Sequence, residues 1–164
     1  MKRRNQLPGL TVGEQMADLG TLIAAIALIL VPSVWYPSLP DTIAIHFDFS
    51  GNADGWGSKA SIFVLPAFGI ITWAGLAILS RYPDIYNYPV KIDDENRTVQ
   101  YLLARKMVKY INLLTTLLFL GITLIILLSA DRNHSAGMGW LLISYLVVLT
   151  IVILRYYHNA KKYR

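Results

Sequence analysis

Four long runs of apolar residues divide the chain, and no Asp, Glu, Lys or Arg interrupts any of them. The runs contain 21 or 22 residues each and cover Leu19–Pro40, Ala60–Ser80, Tyr110–Ala130 and Asn133–Leu154. An α-helix rises about 1.5 Å per residue, so roughly 20 apolar residues cross a hydrocarbon core about 30 Å thick. Each run is therefore long enough to span a bilayer. We predict transmembrane helices over approximately residues 18–36, 60–80, 108–130 and 138–157.

The segments between these spans are too short to bury a core of their own. We therefore predict one all-α integral membrane domain, residues 1–164, with outer loops at 37–59 and 131–137 and a cytoplasmic loop at 81–107. The composition agrees with this fold class, because 55% of the residues are hydrophobic and only 15% are charged. The chain has no cysteine, which excludes disulfides and thiolate metal ligands.

The basic residues predict the orientation, because Lys and Arg accumulate in short cytoplasmic loops. Thirteen of the fifteen fall in the N-terminal tail, the middle loop with its flanks, or the C-terminal end, and only Lys59 and Arg132 fall in the other two loops. Both termini are therefore predicted to be cytoplasmic. Basic residues beside an anionic inner leaflet account for the net charge of +5, so we predict the lipid bilayer, and no nucleic acid, as the partner.

The outer loop of residues 37–59 has the most informative pattern. Over residues 42–49 apolar and polar positions alternate, as in a half-buried strand. The alternation places Ile43, Ile45, Phe47 and Phe49 on one face, and Thr42, Ala44, His46 and Asp48 on the other. Residues 50–55 are rich in turn formers. We predict a short extended, β-like cap that folds back over the outer helix ends, with His46 and Asp48 on its polar face.

Lys59 occupies an unfavourable position, because it lies on the outer side and at the start of the second helix, where the helix dipole favours anions. We expect an anionic partner for it. The candidates are Asp48 or Asp54 in the same loop, or an acidic group on a lipid or ligand.

A few outer groups could bind a metal or perform acid–base chemistry: His46, Asp48, Asp54, Asp131 and His134. Two histidines with a carboxylate would suit zinc, and His46, Asp48 and His134 form such a set. Their spacing matches no established metal motif, and the sequence has no catalytic triad, phosphate-binding loop or paired catalytic carboxylate. We therefore predict no catalytic residue, no cofactor and no enzymatic activity. A metal-assisted membrane enzyme at the outer surface is the alternative.

In the cytoplasmic loop, Asp93 is predicted to cap a third helix that begins near Asp94, well before the membrane. Its basic residues are expected to form a solvated face, or to meet lipid phosphates or a partner protein: Arg97, Arg105, Lys106 and Lys109.

Two segments resemble a known family. The sequence LPDTIAIHFDFSGNADGWGSK is similar to the signature of the family called domain of unknown function 1648, in which Leu-Pro, His-Phe, Gly, an aromatic residue and Ser-Lys recur before a span. The matching positions are Leu39, Pro40, His46, Phe47, Gly51, Asp54, Trp56, Ser58 and Lys59. A second, cytoplasmic block of short members is matched at Asn87, Pro89, Asn96, Gln100, Tyr101 and Arg105.

That family includes bacterial multi-pass proteins similar to the immunity protein that protects sporulating cells from a secreted toxic peptide. The resemblance implies a non-enzymatic sensing or immunity-type module of the bacterial cell (inner) membrane, with a membrane or cytoplasmic protein as a further partner. The residues of the outer motif, with Asp48 among them, are expected to bind a peptide or lipid-like ligand or to organise the loop. The immunity proteins have additional spans, whereas this chain has four, so the membrane class transfers more directly than the activity. An accessory subunit of a transport complex is another alternative. The spans favour neither a pump nor a coupled transporter, because they lack ionisable groups at membrane depth.

Overall fold

A computed structural model describes residues 7–48, 50–130 and 137–164. Its elements are α1 (Val12–Trp35), β1 (Thr42–Phe47), β2 (Ala53–Ser58), α2 (Val64–Leu79), α3 (Arg97–Leu128) and α4 (Met138–Lys162). A 3₁₀ turn, Lys59–Phe63, leads directly into α2. With that turn included, four helices are long and apolar enough to cross a membrane. The predicted architecture of four long apolar helices, with an extended element between the first two, is confirmed.

Helix α1 begins earlier than the predicted span, because Thr11 forms a capping box with Glu14. The Thr11 hydroxyl accepts a hydrogen bond from the Glu14 amide (3.3 Å), and the Glu14 carboxylate accepts one from the Thr11 amide (2.8 Å). Two acidic residues, Glu14 and Asp18, therefore belong to the helix. Its buried positions recur every three or four residues and are mostly small: Glu14, Ala17, Thr21, Ala24, Ala25, Leu28 and Pro32.

Helix α3 is the central helix and packs against α1, α2 and α4. Its 32 residues correspond to a length of about 48 Å, more than the hydrocarbon core requires. It begins at Arg97 rather than near Asp94. Asp93 caps the turn that precedes the helix, because its carboxylate accepts hydrogen bonds from the amides of Glu95 (3.0 Å) and Asn96 (2.9 Å).

Close packing joins α1, α2 and α3 at Gly69. A Cβ at this position of α2 would lie 2.5 Å from the Leu28 side chain and 3.1 Å from Phe119. Helix α4, by contrast, packs on α3 and leaves most of its apolar side chains exposed. An exposed apolar helix face of this kind suits contact with lipid tails.

The two strands form an antiparallel hairpin, with Thr42 opposite Ser58 and Ala44 opposite Trp56. The hairpin packs on the outer helix ends through one apolar cluster: Leu39, Ile43, Ile62, Leu127 and Ala130. Because an isolated hairpin is marginally stable in water, this anchoring explains how so short a sheet persists.

The predicted alternation along β1 is only partly correct. Ile43 is buried, but Ala44 is buried as well, and Ile45 is 45% exposed. The register shifts between Ala44 and His46, so that Ile45 has no partner on β2. Such a bulge turns the following side chains relative to the sheet, and the strict two-residue period fails there. Phe49 lies outside the described residues.

Candidate functional site

The outer face of the cap carries a hydrogen-bonded pair, in which Nδ1 of His46 contacts Oδ1 of Asp54. The His46 side chain is 72% exposed and that of Asp54 47%. Gly55 makes room for the pair, because a Cβ there would lie 2.9 Å from the His46 Cβ. These two predicted site residues are thus brought together at an exposed position of the hairpin.

Asp48 organises the loop and has no contact with His46 among the described hydrogen bonds. Its carboxylate accepts hydrogen bonds from the Asn52 amide (2.8 Å) and the Asn52 side chain (3.0 Å), which closes the turn between the strands. The hydrogen bond from the Asn52 side chain, followed by that from the Asn52 amide, holds the pKa of Asp48 below its usual range. Gly51 supplies the positive φ of +88° that this turn requires. His46 and Asp48 therefore do not form a joint polar site.

Two large apolar side chains of the hairpin are also exposed. Trp56 is 47% exposed and Ile45 45%. Gly57 permits this position of Ile45, because a Cβ at Gly57 would lie 2.8 Å from the Ile45 side chain. The hairpin thus exposes an aromatic ring, an aliphatic group and a polar pair, and we call these four side chains together the cap surface.

Lys59 has an acidic partner, but it is neither Asp48 nor Asp54. Its ammonium nitrogen lies 3.1 Å from a carboxylate oxygen of Asp41 and 3.5 Å from the carbonyl oxygen of Leu39. It also lies 5.4 Å from the centre of the Tyr36 ring. Lys59 therefore joins the end of β2 to the segment that precedes β1, and it organises the loop.

The metal-assisted alternative concerns residues that are only partly described. Asp131 and His134 lie outside the described residues. Within 7–48, 50–130 and 137–164, no three His, Asp or Glu side chains are grouped so that they could hold a metal ion. The set of His46, Asp48 and His134 stays a prediction.

Of the remaining outer motif residues, Leu39 lies in the apolar cluster under the hairpin. Pro40 is exposed and Phe47 is partly buried. They frame β1 and take no part in the cap surface.

At the end of the bundle that is predicted to be cytoplasmic, the second predicted motif forms connections around α3. Gln100 is fully buried and donates hydrogen bonds to the carbonyl oxygens of Ala160 (2.8 Å) and Tyr163 (3.0 Å), which ties α3 to the end of α4. Asn96 donates to the carbonyl oxygen of Lys91 (2.9 Å) and so holds the loop against the helix start.

Aromatic stacking fixes the rest of this loop. Tyr101 stacks on Tyr88, with ring centroids 5.6 Å apart, and Tyr88 stacks on Tyr86 at 6.3 Å. Burial raises the pKa of Tyr86 to about 12 and also raises that of Tyr88. Asn87 and Pro89 remain exposed at the edge of this stack.

Arg105 forms a buried ion pair with Glu14 on α1. Its Nε lies 2.7 Å from one carboxylate oxygen and an Nη lies 3.2 Å from the other, with the two side chains 8% and 2% exposed. Further hydrogen bonds reach the carbonyl oxygens of Pro8 (3.2 Å) and Gly9 (3.3 Å). Arg105 thus joins α1, α3 and the segment that leads into α1.

A second ion pair lies one helical turn further into the bundle. Lys109 contacts both carboxylate oxygens of Asp18, at 2.7 and 2.6 Å, and its side chain is 10% exposed. The expectation that Arg105 and Lys109 form a solvated or lipid-facing surface is therefore wrong. Lys106 does lie on the exposed side of the helix.

A signal in the sequence could have revealed these pairs. Two acids lie four residues apart, two bases lie four residues apart, and both pairs join residues 91 positions apart. Because α2 crosses back between them, α1 and α3 run in the same direction, so equal spacing on each helix aligns the charges in two rungs.

Comparisons with known proteins agree with this description. Residues 22–70, which include most of α1, the hairpin and the start of α2, match the family described as a domain of unknown function, DUF1648. An uncharacterized protein of the archaeon Archaeoglobus fulgidus is 30% identical over 146 residues, which cover 80% of this chain and 76% of that protein. No solved structure matches the chain. The chain is a multi-pass membrane protein that contains a DUF1648 domain over residues 22–70, and it belongs to the same family as the uncharacterized archaeal protein.

Proposed function

We propose that this protein is a non-enzymatic sensing or immunity-type module of the cell (inner) membrane, and that its cap surface binds an extracytoplasmic peptide. One observation supports this proposal above all. The hairpin is anchored by a buried apolar cluster, while Trp56, Ile45 and the His46–Asp54 pair remain exposed.

The chemistry of the cap surface suits a peptide. The described sheet has two strands, so each strand has one edge that the other does not pair. An extended peptide can add to such an edge through backbone hydrogen bonds and place its side chains against exposed apolar groups. Because the hairpin is already fixed on the helix ends, the hairpin loses little conformational entropy when a peptide binds.

The packing also offers a route from the cap surface to the cytoplasm. The apolar cluster under the hairpin includes Leu127 and Ala130, at the outer end of α3. The same helix carries Arg105 and Gln100 at its cytoplasmic end. A peptide that shifts the hairpin would therefore act on one continuous helix, and a cytoplasmic or membrane partner protein could detect the change.

The test uses the secreted toxic peptide to which the family's immunity proteins respond. Fluorescently labelled peptide is titrated into the protein in nanodiscs, and a peptide-sensitive bacterium that expresses the protein is scored for tolerance. We expect Trp56→Ala and His46→Ala to weaken binding about tenfold or more, because exposed aromatic anchors dominate such contacts. Trp140→Ala is the matched control, since Trp140 is 77% exposed at the outer end of α4, away from the hairpin.

Two results would overturn the proposal. One is peptide binding by the wild-type protein that does not exceed binding to empty nanodiscs. The other is equal loss of binding in the Trp56 and Trp140 variants, which would assign the effect to the membrane interface instead of the cap surface. Immunoblots confirm equal amounts of each variant.

A further inference from the structure

An open apolar groove of about 440 Å³ lies between α3 and α4, at the end of the bundle that is predicted to be cytoplasmic. Its size is within the range of small-molecule sites. Two residues of the cytoplasmic motif, Asn87 and Pro89, belong to its lining, although the contacts around α3 leave both exposed. The lining comes from three segments: residues 87–89 of the loop, Met107 and Ile111 on α3, and Ile153, Tyr156 and Tyr157 on α4.

The groove lies at the level where lipid headgroups meet acyl chains. On α4 the apolar run ends at Leu154, between the groove residues Ile153 and Tyr156. On α3 the apolar run begins at Tyr110, one residue before the groove residue Ile111. Tyrosine is enriched at this level of a membrane because its ring suits hydrocarbon and its hydroxyl suits water. One end of the groove therefore faces acyl chains and the other end faces headgroups.

A basic side chain lies beside the groove at its headgroup end. The Lys161 ammonium nitrogen is 4.4 Å from the centre of the Tyr157 ring, which forms part of the groove wall. Lys161 is exposed and has no carboxylate partner in the part of the chain that the structure describes. The exposed Asn87 side chain makes no hydrogen bond within that same part. An unpaired cation and an amide next to an apolar groove complement an amphiphile with an anionic polar end.

We propose that this groove binds one anionic phospholipid of the inner leaflet. An acyl chain lies against Ile111 and Ile153, the phosphate pairs with Lys161, and the Asn87 amide donates to an oxygen of the headgroup. A zwitterionic phospholipid offers the same acyl chains, but its own ammonium group competes with Lys161 for the phosphate, so the anionic lipid binds more tightly. Because α4 packs principally on α3, a lipid in this groove joins α4 to α3 and to the cytoplasmic loop.

Native mass spectrometry of the detergent-purified full chain tests the headgroup preference. The protein is incubated with equal amounts of phosphatidylglycerol and phosphatidylethanolamine that carry the same acyl chains, and the retained lipids are counted. We expect phosphatidylglycerol to be retained about fivefold or more over phosphatidylethanolamine, and Lys161→Gln to remove this preference, because one basic side chain at an anionic headgroup has an effect of about this size. Lys162→Gln is the matched control, since it removes the same charge from a lysine that lies over Tyr163, outside the groove.

A second pair of variants tests whether an acyl chain lies in the groove. Ile153→Trp places a larger side chain there and should lower the retention of phosphatidylglycerol about fivefold or more. Ile151→Trp is the control, since Ile151 is 50% and Ile153 43% exposed but only Ile153 lines the groove. Unfolding temperatures confirm that each variant is folded.

Four results would each overturn the proposal. They are equal retention of the two lipids by the wild-type protein, equal effects of Lys161→Gln and Lys162→Gln, equal effects of Ile153→Trp and Ile151→Trp, and a bound protein, in place of a lipid, that Ile153→Trp displaces. None of these variants changes the cap surface, so the outcome is independent of the peptide test.

Discussion

Replacing Glu14 with Gln tests whether the Glu14–Arg105 pair is a buried structural element of the bundle. The substitution keeps the size of the side chain and an oxygen for the capping box, but it removes the negative charge. Arg105 would then retain its contacts with the Pro8 and Gly9 carbonyl oxygens and lose its only carboxylate.

The expected loss in the free energy of unfolding follows from the burial of this ion pair. Removing one partner of a buried ion pair typically costs about 3–5 kcal/mol, because the remaining charge is left without compensation. Glu14 is almost fully buried but lies in the first turn of α1, close to the aqueous end of the helix. We therefore expect Glu14→Gln to lower the free energy of unfolding by about 3 kcal/mol, at the lower end of this range.

The assay is reversible unfolding in mixed micelles, which gives the free energy of unfolding for Glu14→Gln, Arg105→Met and the double variant. The double variant should be more stable than the sum of the single changes predicts, because removing both charges leaves neither one unpaired. Arg97→Met is the control, since Arg97 pairs with an Asp94 side chain that is 90% exposed and such pairs contribute about 0–1 kcal/mol. A Glu14→Gln effect no larger than that of Arg97→Met would refute the reasoning.

Three further predictions test other parts of the structure. Gly69→Ala should lower the free energy of unfolding by about 1–3 kcal/mol, because the new methyl group would clash with Leu28, whereas Gly75→Ala, which meets nothing within 4 Å, should be neutral or slightly stabilising in the same assay. Burial raises the Tyr86 pKa from 10.0 to about 12, so its contribution to stability is complete below pH 10 and is lost as the pH rises to 12. Unfolding measured against pH should therefore show a smaller alkaline loss for Tyr86→Phe. Because the chain lacks cysteine, the variants Ser50→Cys and Glu95→Cys can report the topology. A membrane-impermeant thiol reagent added to intact cells should label only Ser50→Cys. Labelling of Glu95→Cys without permeabilisation would contradict the predicted orientation.

Hydropathy was sufficient to predict the four helices, because a span must present about 20 apolar residues to lipid whatever its neighbours are. The cap was predictable for a related reason, since alternation followed by turn formers indicates a hairpin. The details of the cap depend on tertiary contacts. The bulge at Ile45 appears only when β1 and β2 are aligned, and the partner of Lys59 is Asp41 because the ends of the hairpin meet there.

A prediction from hydropathy is least accurate at the predicted cytoplasmic ends of α1 and α3, because it places the end of a span at each charged residue. Glu14 and Asp18 belong to α1, and their partners on α3 neutralise them within the bundle. Neutralised charges lower the cost of placing polar groups near the hydrocarbon region, so both helices continue past the apolar runs. Three of these charged residues, Asp18, Arg105 and Lys109, line a polar cleft between α1, α2 and α3, and Glu14 lies behind Arg105. The charged residues that a hydropathy-based prediction assigns to the ends of the spans thus make a polar cleft possible inside a membrane protein whose spans otherwise carry only mild polar groups.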